Sequence, residues 1–548
     1  MSLQAPIIYC QPEETVRVAR AAFPRGNTYM RIYDALGPIY GNPQFAHLFP
    51  KDGQPALAPA QLALVTIFQF MEGLSDRQAA DAVRGRIDWK YAMCLPLEDP
   101  GFDASVLPEF RDRLIARGAE TLLFETLLAV LKEEQLVKPR SRQRTDSTHV
   151  LAAIHVLNRL ELVGETLRHA LNTLATVAPD WLRSWVPSEW FGRYTHRFER
   201  YRLPDALAAR TAVAEQIGTD GRRLLTAIFE TPELAWLVPV PAVQTLWRVW
   251  LQQFHAGDPI TWRKADDLPP SAVVVSSPYD PDARYSQKRE TVWTGYKAHL
   301  TETCDEETPN IVTDVATTPA TMVDHAVTGD VQRRLAARGL APREHLVDTT
   351  YVTADHLVTS QTTHDCTLVG PIPENYSWQS RADEGFGAAQ FAIDWEQEQA
   401  TCPQGKTSKI WKATKDSGGH DAINIRFAYD DCRDCAVREK CVSSSRERAL
   451  LIRPRPLYEA LQEARARQKT DEFKAQYAAR AGIEGTMSQG VGLGDLRRTR
   501  YRGLAKTRLL HLLIAAALNV LRVAAWLAER PRAHARRSAF ANLAPLAV

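Results

Sequence analysis

The spacing of apolar residues changes along the chain from a helical to a strand-like period. Between residues 55 and 135 apolar residues recur every three to four positions, as in ALAPAQLALVTIFQFMEG, which ends at Gly73. The next segment, SDRQAADAVRGRIDWKYAM, begins at Ser75, which we expect to cap its first turn. Two short helices across a tight turn predict either a helix-turn-helix-like unit or an ordinary α-hairpin, because no base-reading side chain stands out.

Strand-like segments begin near residue 144, where RQRTDSTHVLAAI is short and rich in β-branched residues. Residues 156–265 then return to amphipathic helical spacing and predict a helical insertion with its own core. Further strands are predicted at 294–304, 310–320, 344–352 and 366–371. Helices are predicted between them at 324–339 and 353–364, the second capped by Thr353. This order is typical of an α/β sandwich with a mixed sheet.

Charge is uneven along a chain whose total is close to neutral. The 548 residues carry a net charge of +2, which by itself does not indicate nucleic acid. From Leu496 to Val548, however, there are 11 Lys or Arg residues and a single acid, Glu529, which gives +10. A second basic cluster, Lys138 to Arg144, precedes Asp146. Such patches suit phosphate backbones, although a solvated face or a flexible tail has the same composition.

The most apolar stretch, 509–528, predicts a buried core helix and no membrane span. It contains His511, Asn519 and Arg522, which are costly in hydrocarbon. The first residues lack the basic and apolar regions of a secretory signal. We therefore expect a cytoplasmic protein.

Two aspartates lie where strands are predicted. Asp146 falls in the middle of the first strand, and Asp348 ends the buried segment HLVD. Acids are depleted in strands unless they are paired or bind metal. With Glu484 on a nearby helix, they would supply the three carboxylates that two Mg²⁺ ions need for phosphoryl transfer. The alternative for a lone strand-end Asp is a cap or turn residue.

Three sequence blocks resemble the catalytic blocks of DDE transposases of bacterial insertion sequences. They are RTDSTHV, HLVDTTYVTADHL and the long block from YAARAGIEGTMSQ to LRRTRYRGLAKTRLLHLLIAAALNVLRVAAW. SPYDPDARYSQKRETVWTGYKAHLTET is also similar to this family. The resemblance covers most of the chain up to residue 528. It implies an RNase H-like core in which Asp146, Asp348 and Glu484 bind two Mg²⁺ or Mn²⁺ ions. Water would generate a 3′-OH, and strand transfer into target DNA would follow.

A signature of related transposases, Tyr-x2-Arg-x3-Glu-x6-Lys, is matched by Tyr477, Arg480 and Glu484. On a helix these three share a face, so that Tyr477 and Arg480 would hold a phosphate beside the glutamate. Val491 stands in the lysine position, which is a departure from the signature. A basic residue, Arg497, Arg498 or Lys506, would have to replace it. Together with Tyr477 and Arg480, the predicted DNA contacts are Lys297, Arg497, Arg498, Arg500 and Lys506. An exposed helix or strand surface is the alternative for these residues.

The resemblance and the patterns together predict a fold and a division into domains. The fold is α/β, an RNase H-like mixed sheet flanked by helices, with an N-terminal all-α domain, a helical insertion and a small zinc-ribbon-like insertion. The predicted domains are an N-terminal DNA-binding domain (1–143), a catalytic core (144–155, 270–371 and 472–530), the helical insertion (156–269), a loop and strand insertion with cysteines (372–471) and a basic tail (531–548). The expected partner is double-stranded DNA, at terminal inverted repeats and at the target, bound by a homodimer.

Four cysteines in the second insertion predict a structural Zn²⁺. Cys432, Cys435 and Cys441 give C-x2-C-x5-C, and Cys402 precedes them by 30 residues. Four thiolates suit tetrahedral zinc, whereas reduced thiols in a loop are the alternative.

Three rival functions fit the same sequence. A metal-dependent nuclease would keep the core without strand transfer. A domesticated DNA-binding protein would have an inactive core, although the intact Asp146, Asp348 and Glu484 argue against it. A zinc-bearing scaffold would make the triad accidental.

Overall fold

The computed structural model describes residues 3, 10–373, 377–382 and 384–530. The predicted basic tail, 531–548, therefore lies outside the described residues.

The N-terminal region is helical, as the apolar spacing predicted. Ser75 caps a helix in a capping box with Gln78, and Gly73 adopts a left-handed conformation (φ +66°) that ends the helix before it. The helices are α1 (Glu13–Ala22), α2 (Thr28–Leu36), α3 (Pro59–Glu72), α4 (Asp76–Gly85), α5 (Ile87–Ala92), α6 (Val106–Ala116) and α7 (Leu122–Glu133). The predicted second helix is broken at Arg86, which gives α4 and α5.

The first long strand, β1 (Arg142–Leu151), is followed by a helical region with its own hydrophobic core. Leu167, Trp190, Leu224 and Val243 are among its buried residues. Its elements are α8 (Arg159–Val177), α9 (Pro179–Trp185), α10 (Ser188–Tyr194), α11 (Leu207–Glu230), α12 (Pro241–Gln253), β2 (Phe254–His255) and β3 (Thr261–Trp262). A separate core means that this region contributes little apolar packing to the sheet.

A six-stranded mixed sheet forms the centre of the molecule. Its remaining elements are β4 (Arg284–Lys288), β5 (Thr291–Thr303), β6 (Val312–Pro319), α13 (His325–Ala337), β7 (Glu344–Val347), α14 (Ala354–His364) and β8 (Thr367–Val369). The long strand β5 pairs antiparallel with β4, β6 and β1. On its other side β1 pairs parallel with β7, and β7 pairs parallel with β8. The mixed sheet with flanking helices fits an RNase H-like core and confirms the predicted fold class.

A close backbone approach requires glycine at Gly295, where β5 passes the end of β1. A Cβ there would overlap the carbonyl oxygen of Val150, and the residue has φ +155°. Glycine thus allows β5 to continue from its pairing with β1 to its pairing with β4.

The region after β8 is more regular than the predicted loop-rich stretch. It contains α15 (Trp378–Arg381), β9 (Ala392–Asp394), β10 (Gln399–Thr401), β11 (Ile410–Lys415), β12 (Asp421–Arg426), α16 (Tyr429–Arg433), β13 (Ala449–Ile452) and α17 (Arg455–Arg467). Strands β11, β12 and β13 form a small antiparallel sheet. The pattern missed α17 because its mean composition is polar and only Ala464 is buried.

Three helices close the described chain: α18 (Asp471–Ala478), α19 (Gly482–Gly494) and α20 (Leu504–Leu527). By length and apolar content α20 is the one described helix that would pass for a membrane span, yet most of it is buried inside the protein. It packs in the same core cluster as α3, α7 and the sheet, so the N-terminal helices and the sheet share one hydrophobic core. Its buried Asn519 exchanges hydrogen bonds with the backbone of Val312 at 2.8 and 2.9 Å.

Candidate active site

The sheet brings Asp146 and Asp348 next to each other. Thr145 on β1 is in register with Val347, the last residue of the parallel strand β7, so the two aspartates are the next residues on neighbouring strands. Each carboxylate accepts the backbone N–H of the following residue, Ser147 at 2.8 Å and Thr349 at 2.7 Å. Both side chains are thereby fixed at the edge where β7 ends.

Burial raises the pKa of the Asp146 carboxyl above its usual range, and the nearby charge of Asp348 adds to the rise. The guanidinium of Arg480 opposes this shift. The side chain of Asp146 is 18% exposed. A carboxylate held in such surroundings needs a cation for compensation, and in this structure Arg480 provides it.

Arg480 bridges Asp146 and Glu484. Its Nη2 lies 2.6 Å from Oδ2 of Asp146, and its Nη1 lies 3.2 Å from Oε1 of Glu484. Glu484 itself is 71% exposed in the first turn of α19. The structure thus places one guanidinium between two of the three predicted carboxylates, Asp146 and Glu484. Asp348 is the neighbour of Asp146 across the strand pair and adds to the rise in the pKa of Arg480.

The predicted single helix through Tyr477, Arg480 and Glu484 is wrong. A 3₁₀ turn, Ala479–Ala481, separates α18 from α19, and Arg480 lies in that turn. Tyr477 stacks on Phe473 at 5.7 Å between ring centroids and is half-buried against the sheet, with a pKa raised by burial. Arg144 contacts this turn, and Nη1 of Arg144 donates to the carbonyl of Ala479 at 2.5 Å. This hydrogen bond favours the turn over a continuous α-helix.

A buried network anchored by Glu302 holds α19 against the sheet. Glu302, on β5, is fully buried, and its Oε1 lies 2.6 Å from Nη2 of Arg144. Its Oε2 accepts from Nη1 of Arg522 on α20 at 2.7 Å and from Oγ1 of Thr486 on α19 at 2.6 Å. Gly482 begins α19, and a Cβ there would overlap the Arg144 guanidinium. Arg144 and Glu302 therefore set the position of the helix that carries Glu484.

Sequence reasoning missed this network. It placed Arg144 in a basic cluster suited to phosphate, but Arg144 is only 7% exposed and its charge is neutralised by Glu302. A Glu on one strand and an Arg on the neighbouring strand leave no local pattern when 158 residues separate them in the sequence. Only the register that pairs Arg144 with Glu302 brings the two side chains together.

A second charged cluster flanks the aspartates. Nζ of Lys297 lies 2.9 Å from Asp324 and donates to the Met322 carbonyl, so this predicted DNA contact is bound within the protein here. Thr350, two residues after Asp348, donates to the other oxygen of Asp324. Lys288 on β4 lies 4.0 Å from that oxygen and is 56% exposed. Lys288 is a further exposed cation near the aspartates, and the sequence pattern did not single it out.

The other predicted DNA contacts lie beside the far end of β1. The backbone of 497–499 pairs with Leu151, and Nε of Arg497 donates to Thr148 at 2.9 Å. Arg497, Arg498 and Arg500 are exposed, and Arg500 lies over the rings of Phe70 and Tyr501. Lys506 pairs with Asp112 at 2.8 Å. Val491, in the signature lysine position, is half-buried against the main core.

The four cysteines of the second insertion line one cavity, with Arg438 and Arg448 beside them. All four are free thiols of intermediate exposure. Burial raises the pKa of Cys441, and the other three cysteines add to the rise while Arg448 opposes it. The cysteines are therefore neighbours, as the zinc prediction requires, but their arrangement is not that of a formed metal centre.

Within the described part of the chain, no group of three or more His, Cys, Asp or Glu residues is arranged to hold a metal ion. Among the predicted ligands, the Arg480 fork stands between Asp146 and Glu484. The donor set itself fits Mg²⁺ or Mn²⁺, which prefer hard carboxylate oxygens. The carboxylates thus fit the ions by chemistry, and admitting them requires Arg480 to move.

Two families match parts of the chain. Residues 401–524 match the family described as Transposase DDE domain, and residues 18–113 match the family described as Transposase domain (DUF772). The first match includes Arg480, Glu484, α19 and most of α20, and the second covers much of the N-terminal helical region. No curated protein and no solved structure matches the chain.

Glu302→Gln tests the buried network. Removing the charge leaves Arg144 and Arg522 buried without their shared counter-ion, so we expect a loss of about 3 kcal/mol in the free energy of unfolding. Urea unfolding measures the loss, and amide hydrogen exchange is expected to show early opening of α19. The control is Glu344→Gln, which breaks the more exposed pair with Arg142 and is expected to cost less than about 1 kcal/mol. Equal losses in the two variants would contradict the role given to Glu302.

Asp146→Asn tests the electrostatics of the carboxylate. A pKa raised by folding means that the stability from this group is present at acid pH and is lost as the pH rises through the raised value. We expect the metal-free variant to be more stable than the wild type at neutral pH, with the difference closing toward acid pH. Urea unfolding in EDTA at both pH values measures it, with Asp355→Asn on the exposed face of α14 as the control. A less stable Asp146→Asn protein at neutral pH would show that Arg480 outweighs burial.

Proposed function

Since its two family matches make this chain a DDE transposase of the insertion-sequence type, we propose that Asp146, Asp348 and Glu484 form its catalytic centre. That centre would cut DNA at the element's ends and join those ends to target DNA. The observation that carries the proposal is the meeting of the three acids at one place: Asp146 and Asp348 are neighbours on paired strands, and Arg480 links Asp146 to Glu484 on α19.

The carboxylates would hold two Mg²⁺ or Mn²⁺ ions, which when bound activate the attacking oxygen and stabilise the leaving one. The chain's own contribution is rigidity. Asp146 and Asp348 are held by strand register and by backbone N–H groups. Glu484 is positioned through Thr486, two residues along the same helix, by the Glu302 network.

Double-stranded DNA is the proposed substrate, as terminal inverted repeats and as target. The exposed arginines Arg497, Arg498 and Arg500 would bind its phosphates. They lie beside the last residue of β1, the strand that carries Asp146. Lys288 would replace the lysine of the signature, whose position is occupied here by the uncharged Val491. Lys288 is exposed beside Asp324, and its positive charge acts to lower the pKa of Asp146. Pairing of two ends by a homodimer is part of the same proposal.

A structural Zn²⁺ on Cys402, Cys432, Cys435 and Cys441 is a separate proposal, supported by the cavity that these residues share. It concerns the stability of the second insertion and not the reaction. Elemental analysis of freshly purified protein without zinc would remove it.

Cleavage and joining are tested with labelled duplexes that carry the element's own ends, in Mg²⁺ or Mn²⁺. We expect nicks at the ends and joined products from the wild type, and a loss of at least about 100-fold in both with Asp348→Ala or Asp146→Asn. Asp355→Asn serves as the matched control and is expected to cut normally. Wild-type cutting by Asp348→Ala would refute the assigned centre. Nicking without joined products would favour the nuclease, and tight salt-sensitive binding without cutting would favour an inactive DNA-binding protein.

A further inference from the structure

The position of Arg480 conflicts with the binding of metal ions that is expected of Asp146 and Glu484. Its fork is engaged by Asp146 and Glu484 at 2.6 and 3.2 Å, so it neutralises the carboxylates that the metal ions need. A guanidinium and a divalent ion cannot occupy the same gap between two carboxylates, because the guanidinium fills the space that the ion would need. Arg480 therefore supplies here the positive charge that a bound ion would supply.

The same side chain is incompletely satisfied. Its Nε is buried and has no hydrogen-bond partner among the residues that the structure describes. A buried N–H donor without an acceptor is costly, which limits the stability of this conformation. The lone link to Glu484 is also weak, because that carboxylate is 71% exposed and screened by water. Arg480 is thus held firmly by one contact only, the one to Asp146.

A phosphate is the acceptor that would satisfy the donors of Arg480 after its side chain leaves the carboxylates of Asp146 and Glu484. A guanidinium donates two parallel hydrogen bonds to a phosphate, and its Nε takes part in one of the two forks. The exposed arginines of 497–500 lie beside the end of β1 at Leu151, and Lys288 lies on β4, which pairs with β5 as β1 does, so a phosphate backbone would be attracted to this part of the sheet.

We propose that Arg480 couples the binding of metal to the binding of DNA by exchanging the carboxylates of Asp146 and Glu484 for a DNA phosphate. The inference rests on the proposed function, since it takes those carboxylates as metal ligands. It adds a consequence: without DNA the arginine competes with the ions, and with DNA it is withdrawn. By linkage, DNA then raises metal affinity by the same factor as metal raises DNA affinity. A protein built this way cuts little when no DNA is positioned in the site.

The test measures Mn²⁺ binding to the full-length protein by the electron paramagnetic resonance signal of free Mn²⁺, with and without a short DNA duplex. Arg480→Gln removes the competing charge and is expected to bind Mn²⁺ about tenfold more tightly than the wild type without DNA. The duplex is expected to tighten Mn²⁺ binding to the wild type and to leave Arg480→Gln unchanged. Asp348→Ala, which removes one proposed ligand, corrects for ions bound by the duplex itself.

Two further variants isolate the cause. Arg142→Gln removes a positive charge from the same strand as Asp146. Arg142 contacts Glu344 and the carbonyl of Gln476 and none of the three acids, so this variant is expected to bind Mn²⁺ as the wild type does. Arg480→Lys keeps the charge without the fork and is expected to fall between the wild type and Arg480→Gln. Equal affinity of Arg480→Lys and the wild type would overturn bridging as the cause, and an equal gain in Arg142→Gln would overturn a role specific to Arg480.

The failure of the inference is distinct from the failure of the proposed function. If Asp348→Ala weakens Mn²⁺ binding while Arg480→Gln and the wild type bind alike, the coupling is wrong and the carboxylate centre stands. If Asp348→Ala binds Mn²⁺ as the wild type does, the assignment of the carboxylates is wrong, and the inference falls with it.

Discussion

The fully buried carboxylate of Glu302 connects the elements on which the proposed centre is built. It binds Arg144 from β1, Thr486 from α19 and Arg522 from α20, and each of these reaches it from a different part of the chain. A buried charge without partners is strongly unfavourable, so the three elements are locked together wherever Glu302 is charged. The position of Glu484 relative to Asp146 is a consequence of this arrangement and of Gly482, which leaves room for Arg144.

Around that network the three acids differ in how they are held. Asp146 and Asp348 are fixed by parallel strand register, whereas Glu484 is mostly exposed and Arg480 lies in a 3₁₀ turn between two helices. Under our proposal, the exchange of the guanidinium for metal ions takes place where this turn and α19 meet the sheet.

Much of the fold followed from local patterns. Helices with clear apolar spacing and end signals, such as α3 and α4 with Gly73 and Ser75, were predicted correctly, and so was the strand that holds Asp146. The strand predicted at 344–352 ends at Val347, because a 3₁₀ turn over Thr349–Tyr351 follows Asp348. Local patterns failed where tertiary contacts decide the conformation. The break at Ala479–Ala481 depends on a hydrogen bond from Arg144, more than 330 residues away along the chain. The polar helix α17 was missed because it buries too little apolar surface to leave a period.

The candidate residues divide in the same way. Residue type and family resemblance identified the three acids and Arg480, but spacing cannot reveal that Arg480 occupies the gap between two of them. Lys297 lies at the predicted place on β5, yet its ammonium is engaged by Asp324, while Lys288 had no sequence signal at all. Charged residues that are far apart in the sequence are paired by the register between strands. A single sequence does not display that register.

The central claim is that Asp146, Asp348 and Glu484 bind the same metal ions, and iron-directed cleavage of the protein tests it directly. Fe²⁺ replaces Mg²⁺ in the presence of DNA, and ascorbate with hydrogen peroxide then produces radicals that cut the backbone beside the bound ion. Our account predicts three sets of cuts, close to residues 146, 348 and 484, which disappear together in Asp348→Ala and decline when Mg²⁺ competes. Cuts confined to other segments, such as the cysteine-rich insertion, or cuts near only one of the three acids, would contradict it.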